Sequence, residues 1–449
     1  MEELTPQYDQ LHEYEFYPVN LLTEYQQCID EGLDMEAYKD VFTAVYCLPN
    51  DAVKKALGDA LFEKVRTAKM RTDYPYNEPS DLPSIQALRK PHSYAQTAPT
   101  DLEDKLLGAW LGRTCGCLLG KSIEGIRSNE LLPFLQETGN YPLHRYILRS
   151  DLTDEIRSRY TFDFDICTYA DDGEGMPPDD DTNYTVLYQQ IIEKYGRDFT
   201  PDDVAQTWLC ALPKDAYCTA ERVAYCNFVA GFCPPHSAVY QNAYREWIGA
   251  QIRGDYFGYI NPGKPALAAE MAWRDGCISH VKNGIYGEMF AAAMLSVAAV
   301  TGNIRDIILG GLAEIPHTSR LYAEVISVLE GFENGVSQAD CFAAIHKKYD
   351  EHTSHGWCHT IPNAMIVAAT LLYGGGDYSK SICMAVEAAF DTDCNAATVG
   401  SVLGMAFGSG IIDAYWRAPI AGKIHTSIFG VGTVDIADCV RLTLKHIGQ

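Results

Sequence analysis

Apolar residues recur at helical spacing through most of the chain. Tyr184, Leu187 and Ile191 follow one another at i, i+3 and i+7, and Val399 and Leu403 are four positions apart in a later stretch. Such spacing puts apolar side chains on one face of a helix. Similar patterns occur in PDDVAQTWLCAL, PALAAEMAWRDGCIS, MFAAAMLSVAAVTG, SRLYAEVISVLEGFENG, NAMIVAATLLY and SKSICMAVEAAF. An alternating pattern typical of a strand is found mainly at 159–169. The pattern therefore predicts an all-α protein.

The same pattern divides the chain into three parts. Residues 1–72 contain amphipathic stretches, in one of which Leu57, Leu61 and Val65 share a face, and they predict a small helical unit. Residues 73–101 are rich in proline, which interrupts regular helices, so we expect a linker or an extended arm. Residues 102–449 are predicted to form one large helical domain.

Two helical stretches carry glycine at every fourth position. The glycines are Gly108, Gly112, Gly116 and Gly120 in the first stretch, and Gly400, Gly404 and Gly408 in the second. A glycine inside a helix costs about 1 kcal/mol relative to alanine, so a regular series of glycines needs a reason. One interpretation is the close packing of another helix, and the other is the approach of a ligand near the helix end.

Composition and charge exclude several classes of function. The formal net charge is −25, which repels phosphate backbones and anionic membranes, so we expect no nucleic-acid partner. The apolar runs are too short to cross a bilayer. The first residues are acidic and do not resemble a signal peptide. The 15 cysteines lie scattered along the chain, as is typical of reduced thiols, and we expect a cytoplasmic protein that is not bound to membranes.

Two aspartate clusters each precede a predicted helix. The first is Asp179, Asp180 and Asp181, and the second contains Asp391 and Asp393. Aspartate commonly caps a helix N-terminus and complements its dipole, which is a sufficient explanation for one cluster alone. If the two clusters meet in space, their charges need a cation, and carboxylate oxygens favour Mg²⁺, Mn²⁺ or Ca²⁺.

Three other segments resemble known ligand-binding motifs but lack residues that those motifs require. The segment 115–122 has Cys115 where a phosphate-binding loop needs its first glycine, and a helical pattern precedes it. The calcium loop suggested by the first aspartate cluster has Tyr184 at its glycine position and Gln190 at its glutamate position. The histidines and cysteine at 352–359 match no zinc spacing, so they are interpreted as ordinary polar and packing residues.

Three segments together resemble the ADP-ribosylglycohydrolase family. They are GKSIEG at 120–125, PDDDT at 178–182 and DTDCNAATVGSVLG at 391–404. The resemblance implies a large multi-helix orthogonal bundle, all-α in class, to which the N-terminal helical unit is an extension. It also implies a binuclear Mg²⁺ centre, with Mn²⁺ as the alternative metal. The implied activity is hydrolysis of the glycosidic bond between ADP-ribose and an acceptor.

The resemblance also implies roles for particular residues. The metal ligands would be Asp179, Asp180, Asp181, Asp391, Asp393 and Glu124. The catalytic residues would be Glu124, Asp180 and Asp393, and Glu124 acts either as a switchable ligand or as the acid/base. The substrate-binding residues would be Gly120, His280, Asn261, Gly263 and Cys394.

The sequence departs from the family pattern at three places. Asp179 replaces a threonine, which adds a negative charge, and Cys394 replaces another threonine, which puts a soft thiol where Mg²⁺ prefers oxygen. The family's glycine-rich phosphate loop is missing, and the segment 259–263 stands in its place. This last departure leaves open whether the substrate carries a diphosphate.

Three functions follow from these observations. The first is a metal-dependent glycosidase that acts on an ADP-ribosylated protein or small molecule, in which two cations hold the ribose hydroxyls and activate water. Carboxylates would stabilise an oxocarbenium-like transition state at C1′. The second is a hydrolase of a nucleoside or another ribosyl N-glycoside without a diphosphate. The third is a non-enzymatic relative, like the crystallins that belong to the family.

Overall fold

The computed structural model describes residues 5–97 and 101–448, and α-helices dominate both ranges. The helices of the N-terminal part are α1 (Leu21–Asp30), α2 (Lys39–Tyr46), α3 (Ala52–Arg66) and α4 (Leu82–Ala87). The next are α5 (Leu102–Lys121), α6 (Ser128–Glu137), α7 (Asp154–Arg157), α8 (Asp180–Tyr195), α9 (Pro201–Ala211), α10 (Thr219–Val229), α11 (Asp255–Tyr259), α12 (Pro265–Gly276), α13 (Lys282–Ala298) and α14 (Ile304–Leu312).

The remaining α-helices complete the C-terminal third of the chain. They are α15 (Arg320–Glu333), α16 (Gln338–Lys348), α17 (Ser354–Cys358), α18 (Thr360–Gly374), α19 (Tyr378–Glu387), α20 (Thr392–Phe407), α21 (Ala414–Arg417) and α22 (Ile436–Ile447). Short 3-10 helices occupy Tyr8–Gln10, Glu13–Glu15, Tyr17–Asn20, Glu36–Tyr38, Arg149–Asp151, Phe164–Ile166, Lys214–Ala216, His236–Ala238, Ile248–Arg253 and Ser409–Ile411. The prediction of an all-α protein is confirmed. Among the described residues, no helix is long and apolar enough to span a membrane.

Strand structure in the described residues is limited to one small hairpin. Strands β1 (Lys423–His425) and β2 (Thr433–Asp435) pair in antiparallel fashion. The alternating segment 159–169 forms no strand, and part of it is a 3-10 helix. Phe164 is buried against the ring of Phe134, with ring centroids 4.9 Å apart, whereas Ile166 is 77% exposed. The alternation therefore reflects aromatic packing against α6 and not a two-sided strand.

Helices α5 and α20 form the most extensive helix pair in the protein, and glycine makes their contact possible. A Cβ atom at Gly112 would overlap the backbone of Gly400, and a Cβ at Gly400 would overlap Gly112. Likewise, a Cβ at Gly116 would overlap the carbonyl of Ala396. The backbones touch because no side chain separates them, so the glycine stripes are explained by close helix packing along most of their length.

A buried arginine on α5 fixes the start of α8. The guanidinium of Arg113 donates to the Asp181 carbonyl at 2.9 and 2.8 Å and to Asp181 Oδ1 at 2.8 Å. It also lies 3.0 Å from Asp255 Oδ2 and donates to the carbonyl of Ile252 at 2.6 Å. Since a buried charge is costly unless it is paired, this arrangement ties α5 to α8 and to the start of α11.

The N-terminal part has a hydrophobic core of its own, which includes Leu21, Phe42 and Leu61. Ion pairs attach it to the larger helical body: Arg245 lies 2.8 Å from Glu24 and 2.6 Å from Glu31. We keep the division at 72 and 101 as a prediction.

The proline-rich segment lies along the surface of the helical body. Trp273 Nε1 donates to the Ser80 carbonyl at 2.8 Å, and the backbone amide of Asn77 donates to the Thr318 carbonyl at 3.1 Å. Helix α4, which begins beside Pro83, is the one regular helix among the described residues of the segment. The segment is therefore held to the body at several points.

Substitution of Gly112 by alanine should destabilise the protein, although alanine is the better helix former. The added methyl group would force α5 and α20 apart, and overpacking of this kind costs about 1–3 kcal/mol. The measurement is the free energy of unfolding or the thermal midpoint. Gly331→Ala in α15 is the matched control, because a Cβ there meets nothing closer than 3.6 Å. The packing explanation fails if both variants are stabilised.

Substitution of Arg113 by methionine should cost about 3–5 kcal/mol of stability, because the carboxylates of Asp181 and Asp255 would remain buried without their partner. Urea unfolding of the purified variant measures this loss. Arg305→Met is the control, since the Arg305–Glu333 pair is largely exposed, with side chains 51% and 42% accessible, and its loss should have little effect. Equal effects of the two substitutions would contradict the role given to Arg113.

Candidate metal centre

Three helix ends meet at one point of the structure. Helix α5 ends at Lys121, α8 begins after Asp179, and α20 begins after Asp391. Asp179 caps α8, because its Oδ1 accepts the backbone N–H of Asp181 at 2.9 Å. Asp391 occupies the same position before α20 but makes no capping hydrogen bond. Helix capping therefore accounts for Asp179 and leaves Asp391 without such an explanation.

The two aspartate clusters share one site. Ligand atoms of Cys117, Asp179, Asp181 and Asp393 all lie within 4.8 Å of one another. A second group, formed by Asp391, Asp393 and Cys394, meets the same criterion. Asp393 belongs to both groups, so the carboxylates of α8 and α20 converge although they are far apart in sequence.

The site carries more negative charge than the neighbouring cations neutralise. Burial, followed by the charges of Asp179 and Asp393, raises the pKa of Asp180 to about 8. The charge of Asp393 raises the pKa of Glu124 well above its usual range. Burial and the charge of Asp393 raise the pKa of Asp391 in the same direction.

Asp179 behaves differently because a lysine lies against it. Lys121 Nζ donates to Asp179 Oδ2 at 2.6 Å. Burial acts to raise the pKa of Asp179, but the charge and hydrogen bond of Lys121 bring it below its ordinary value. Lys121 and Arg113 are the basic side chains bonded to the aspartates of α8.

The donor set fits a hard divalent cation. The buried atoms Asp181 Oδ2, Asp391 Oδ1 and Asp393 Oδ1 have no hydrogen-bond donor among the described residues. Buried carboxylate oxygens without donors are costly, and a cation would satisfy them. Oxygen ligands of this type suit Mg²⁺, Mn²⁺ or Ca²⁺.

Two sulfur atoms accompany these oxygens. Burial, together with the surrounding carboxylates, raises the pKa of the Cys117 and Cys394 thiols well above the usual range. Both are therefore neutral thiols, which are weak ligands for a hard cation. Sequence reasoning missed Cys117 and Lys121. Their signal was their position on α5, four residues apart and thus on one face, just before Glu124.

Glu124 and Asp180 are the accessible members of the site. Glu124 is exposed and Asp180 is half-buried, whereas Asp179, Asp181 and Asp393 are buried. The exposed carboxylate follows the last turn of α5 and faces solvent. The buried part of the site is therefore formed by Asp179, Asp181 and Asp393, and Glu124 lies on its solvent-accessible side.

Gly120 contacts the start of α20 through its backbone, and its role in substrate binding stays a prediction. A Cβ there would overlap the backbone of Thr392 and Asp393, and its carbonyl accepts a hydrogen bond from Thr392 Oγ1 at 2.9 Å. This contact fixes the position of the first turn of α20 relative to the last turn of α5.

His280 lies outside the acidic cluster. Its ring is buried, with Nδ1 2.8 Å from Ser279 Oγ, and Ser279 in turn accepts from Arg253 at 3.0 Å. Arg253 pairs with Glu221 at 2.7 Å and with Asp275 at 2.6 Å. His280 therefore belongs to a buried ionic network, and its role as a substrate-binding residue stays a prediction.

Asn261 and Gly263 lie near the other end of α5. The backbone amide of Gly263 donates to the Ser296 carbonyl, near the end of α13, at 2.8 Å. The carbonyl of Ala299, just after α13, accepts from Lys105 Nζ at 3.1 Å, and Lys105 lies in the first turn of α5. Lys105 and Lys121 are about 24 Å apart at 1.5 Å per residue. The loop before α12 therefore packs at the end of α5 opposite the acidic site, and the substrate-binding role of Asn261 and Gly263 stays a prediction.

The histidines of 352–359 make a cluster that does not suit a metal. Ligand atoms of Asp30, His355 and His359 lie within 4.8 Å of one another. However, Trp247 Nε1 donates to His355 Nδ1 at 3.2 Å, and a backbone N–H donates to His359 Nδ1 at 3.2 Å. A ring that accepts a hydrogen bond at Nδ1 carries a proton on Nε2, which leaves no lone pair there for a metal.

The comparisons with known proteins agree with this architecture. The model of the family described as ADP-ribosylglycohydrolase matches residues 98–443. No curated protein matches the sequence significantly.

Among solved structures, 45 chains match. One of them is described as an ADP-ribosylglycohydrolase-related protein complex, with 18% identity and a TM-score of 0.47, over 78% of this chain and 98% of that chain. Because the family match spans most of the sequence and includes all three segments that meet at the acidic site, the chain belongs to the ADP-ribosylglycohydrolase family.

Proposed function

We propose that this protein is a metal-dependent glycohydrolase that breaks the C1′ glycosidic bond of an ADP-ribosylated protein or small molecule. The observation that carries the proposal is the convergence of the α8 and α20 aspartates, with buried oxygens of Asp181, Asp391 and Asp393 that have no donor. Membership of a glycohydrolase family supports the same reaction class.

The proposed centre holds two Mg²⁺ or Mn²⁺ ions. Its ligands would be Asp179, Asp180, Asp181, Asp391, Asp393 and Glu124. Such ions supply Lewis-acid chemistry, holding vicinal ribose hydroxyls and lowering the pKa of a water molecule. Asp181 would offer Oδ2, which has no donor, whereas its Oδ1 accepts from the guanidinium of Arg113 at 2.8 Å. Likewise, Oδ2 of Asp179 already accepts a hydrogen bond from Lys121 Nζ.

The protein groups would share the remaining chemistry. Glu124, on the solvent side, can exchange protons and reach a substrate that enters from the open side, so we assign it the acid/base role or that of an exchangeable ligand. Asp180 and Asp393 would stabilise positive charge at C1′ as the bond to the acceptor breaks. Water attacks C1′ and gives up a proton, and the departing acceptor atom gains one.

One observation favours a second candidate. The segment 259–263, which stands where the family has its phosphate loop, packs beside Ser296 and is distant from Asp393. A substrate without a diphosphate, such as a nucleoside or another ribosyl N-glycoside, would need no contact there. The chemistry at C1′ would be unchanged.

A substrate panel separates these two functions. We expect ADP-ribosyl-arginine or ADP-ribosyl-serine peptides to release ADP-ribose in the presence of Mg²⁺, and EDTA to abolish the release. Nucleosides should release free ribose at a far lower rate. The reverse order of rates would favour the second candidate. Hydrolysis of neither class would support the crystallin-like alternative.

Substitution of Asp393 by asparagine should remove metal binding, because Asp393 belongs to both ligand groups and an amide carries no charge. Mg²⁺ or Mn²⁺ should raise the thermal midpoint of the natural protein but not of the variant. Release of ADP-ribose should fall at least about 100-fold, since even indirect partners of a metal are worth 10–100-fold.

The control for this substitution is Asp438→Asn, at an exposed position on α22 where the side chain is 56% accessible. In the absence of metal, the Asp393 variant should be no less stable than the natural protein, because one of several crowded negative charges has been removed. A full Mg²⁺ response in the Asp393 variant would contradict the proposed centre.

A further inference from the structure

A cavity of about 1100 Å³ lies between the N-terminal part and the helical body. We infer, on the basis of the proposed function, that this cavity binds the nucleotide part of the substrate, with Arg127 on its phosphates and N-terminal residues as one wall. The residues of that wall precede position 98, where the family match begins. They would therefore be a feature of this chain beyond the matched domain.

The size and lining of the cavity suit a nucleotide. Ligand pockets usually measure about 300–1,000 Å³, so this cavity can contain a ligand of nucleotide size. Its aromatic residues come from both sides: Tyr14, Tyr74 and Tyr76 from the N-terminal part, and Trp247 and Trp357 from the body. Flat rings of this kind stack on a nucleobase.

The cavity is joined to the acidic site through α17. Trp357, which lines the cavity, donates from Nε1 to the carbonyl of Phe390 at 2.5 Å. The next residue, Cys358, has its Sγ 3.8 Å from Asp391 Oδ2. Arg127 follows Glu124 by three residues. A ligand on Arg127 and Trp357 would therefore lie beside the start of α20, next to the proposed metal ligands.

The guanidinium of Arg127 has no direct ion-pair partner among the described residues, although the charge of Glu351, whose carboxylate accepts the N–H of the neighbouring Ser128, partly offsets its own. This guanidinium lies 4.8 Å from the ring of Trp357. Among the described residues it has no ion-pair or hydrogen-bond partner, and its Nη1 is buried. By contrast, Arg320 lies 2.7 Å from Glu246, and Lys348 pairs with Glu324. A partly buried guanidinium without a partner is a site for an anion, and phosphate matches its fork of donors.

The N-terminal wall offers a second guanidinium. Arg71 lies 3.4 Å from Glu36 and 3.6 Å from Asp73, and these two carboxylates are 70% and 83% exposed. Its Nε is buried and makes no hydrogen bond in the part of the chain that the structure describes, since the 3.6 Å contact of this atom with Asp73 is too long for one. Exposed partners at these distances neutralise little charge, because water screens them. Arg71 and Arg127 thus bring positive charge to the cavity from two different parts of the chain.

Four acidic residues also line the cavity, and three of them already have partners within the protein. They are Glu13, Asp30, Glu324 and Asp350. Asp30 lies 2.9 Å from His355 Nε2, and Glu324 accepts from Lys348. Asp350 accepts a backbone N–H from His352 at 3.0 Å. The guanidiniums therefore remain the groups with unused donors, in a protein whose net charge of −25 makes a local positive site distinctive.

The test is binding of ADP to the full-length protein at fixed free Mg²⁺, measured by calorimetry, with AMP, adenosine and inorganic pyrophosphate as further probes. We expect affinity to increase from adenosine to AMP to ADP. Arg127→Gln should weaken ADP binding about 10–100-fold and adenosine binding less than about twofold, since a charged hydrogen-bond partner of phosphate is lost. Arg71→Gln should weaken ADP binding about threefold or more.

Arg305→Gln, on an exposed ion pair far from the cavity lining, is the matched control and should leave ADP affinity unchanged. Arg127→Gln should keep the thermal midpoint, because no ion pair is broken. The inference is overturned if ADP does not bind, or if Arg127→Gln binds ADP like the natural protein.

The binding test is independent of hydrolysis, because ADP contains no glycosidic bond to an acceptor. Arg127-dependent binding of ADP without hydrolysis of any ribosyl substrate would support the nucleotide site and overturn the proposed function. Metal-dependent hydrolysis with unchanged ADP binding in Arg127→Gln would support the proposed function and overturn the nucleotide site. The two proposals therefore fail in different experiments.

Discussion

The direct backbone contact between α5 and α20 is the constraint on which the rest of the structure depends. Side chains at Gly112 or Gly400 would separate the helices, so the small residues are required by geometry and not by flexibility. The contact brings the start of α20 to the end of α5, where Thr392 bonds to Gly120. The carboxylate of Asp393 therefore lies beside those of Asp179 and Asp181, and Asp391 lies next to Asp393.

This packing brings several carboxylates together, and basic side chains neutralise only some of their negative charge. Arg113 lies between Asp181 and Asp255, and Lys121 lies against Asp179, so each basic side chain neutralises a named carboxylate. The remaining carboxylate oxygens have no such partner. A protein whose only need was stability would replace these groups with apolar ones, because an unpaired buried charge is unfavourable. Their presence is best explained by a cation that enters the site.

Much of the fold could be predicted from the sequence because helix formation leaves a local signal. Apolar periodicity identified the helices, and the glycine spacing marked two of them for close approach by another helix or by a ligand. The acidic residues were found because they stand in short motifs at helix starts. Each of these signals lies within a few residues along the chain, where spacing alone determines which side chains share a face.

Other features depend on contacts between distant parts and had no such signal. Nothing local distinguishes Arg113, which is buried opposite Asp181, from an arginine at a helix surface. Asn261 was expected to bind substrate because its segment stands in place of the family's phosphate loop, yet sequence does not determine at which end of α5 that loop packs. In the segment 159–169, the alternation of aromatic residues suggested a strand, but their packing against α6 produced a different backbone.

The hydrogen bond between Thr392 and Gly120 joins residues 272 positions apart. During synthesis, α5 and the aspartates of α8 leave the ribosome long before α20 has been made. Until then, the glycine face of α5 has no helix packed against it. Closing so long a loop is entropically costly and slow compared with local helix formation. The nascent chain therefore spends an extended period with an unfinished interior, in which transient cover by a chaperone would be of most use.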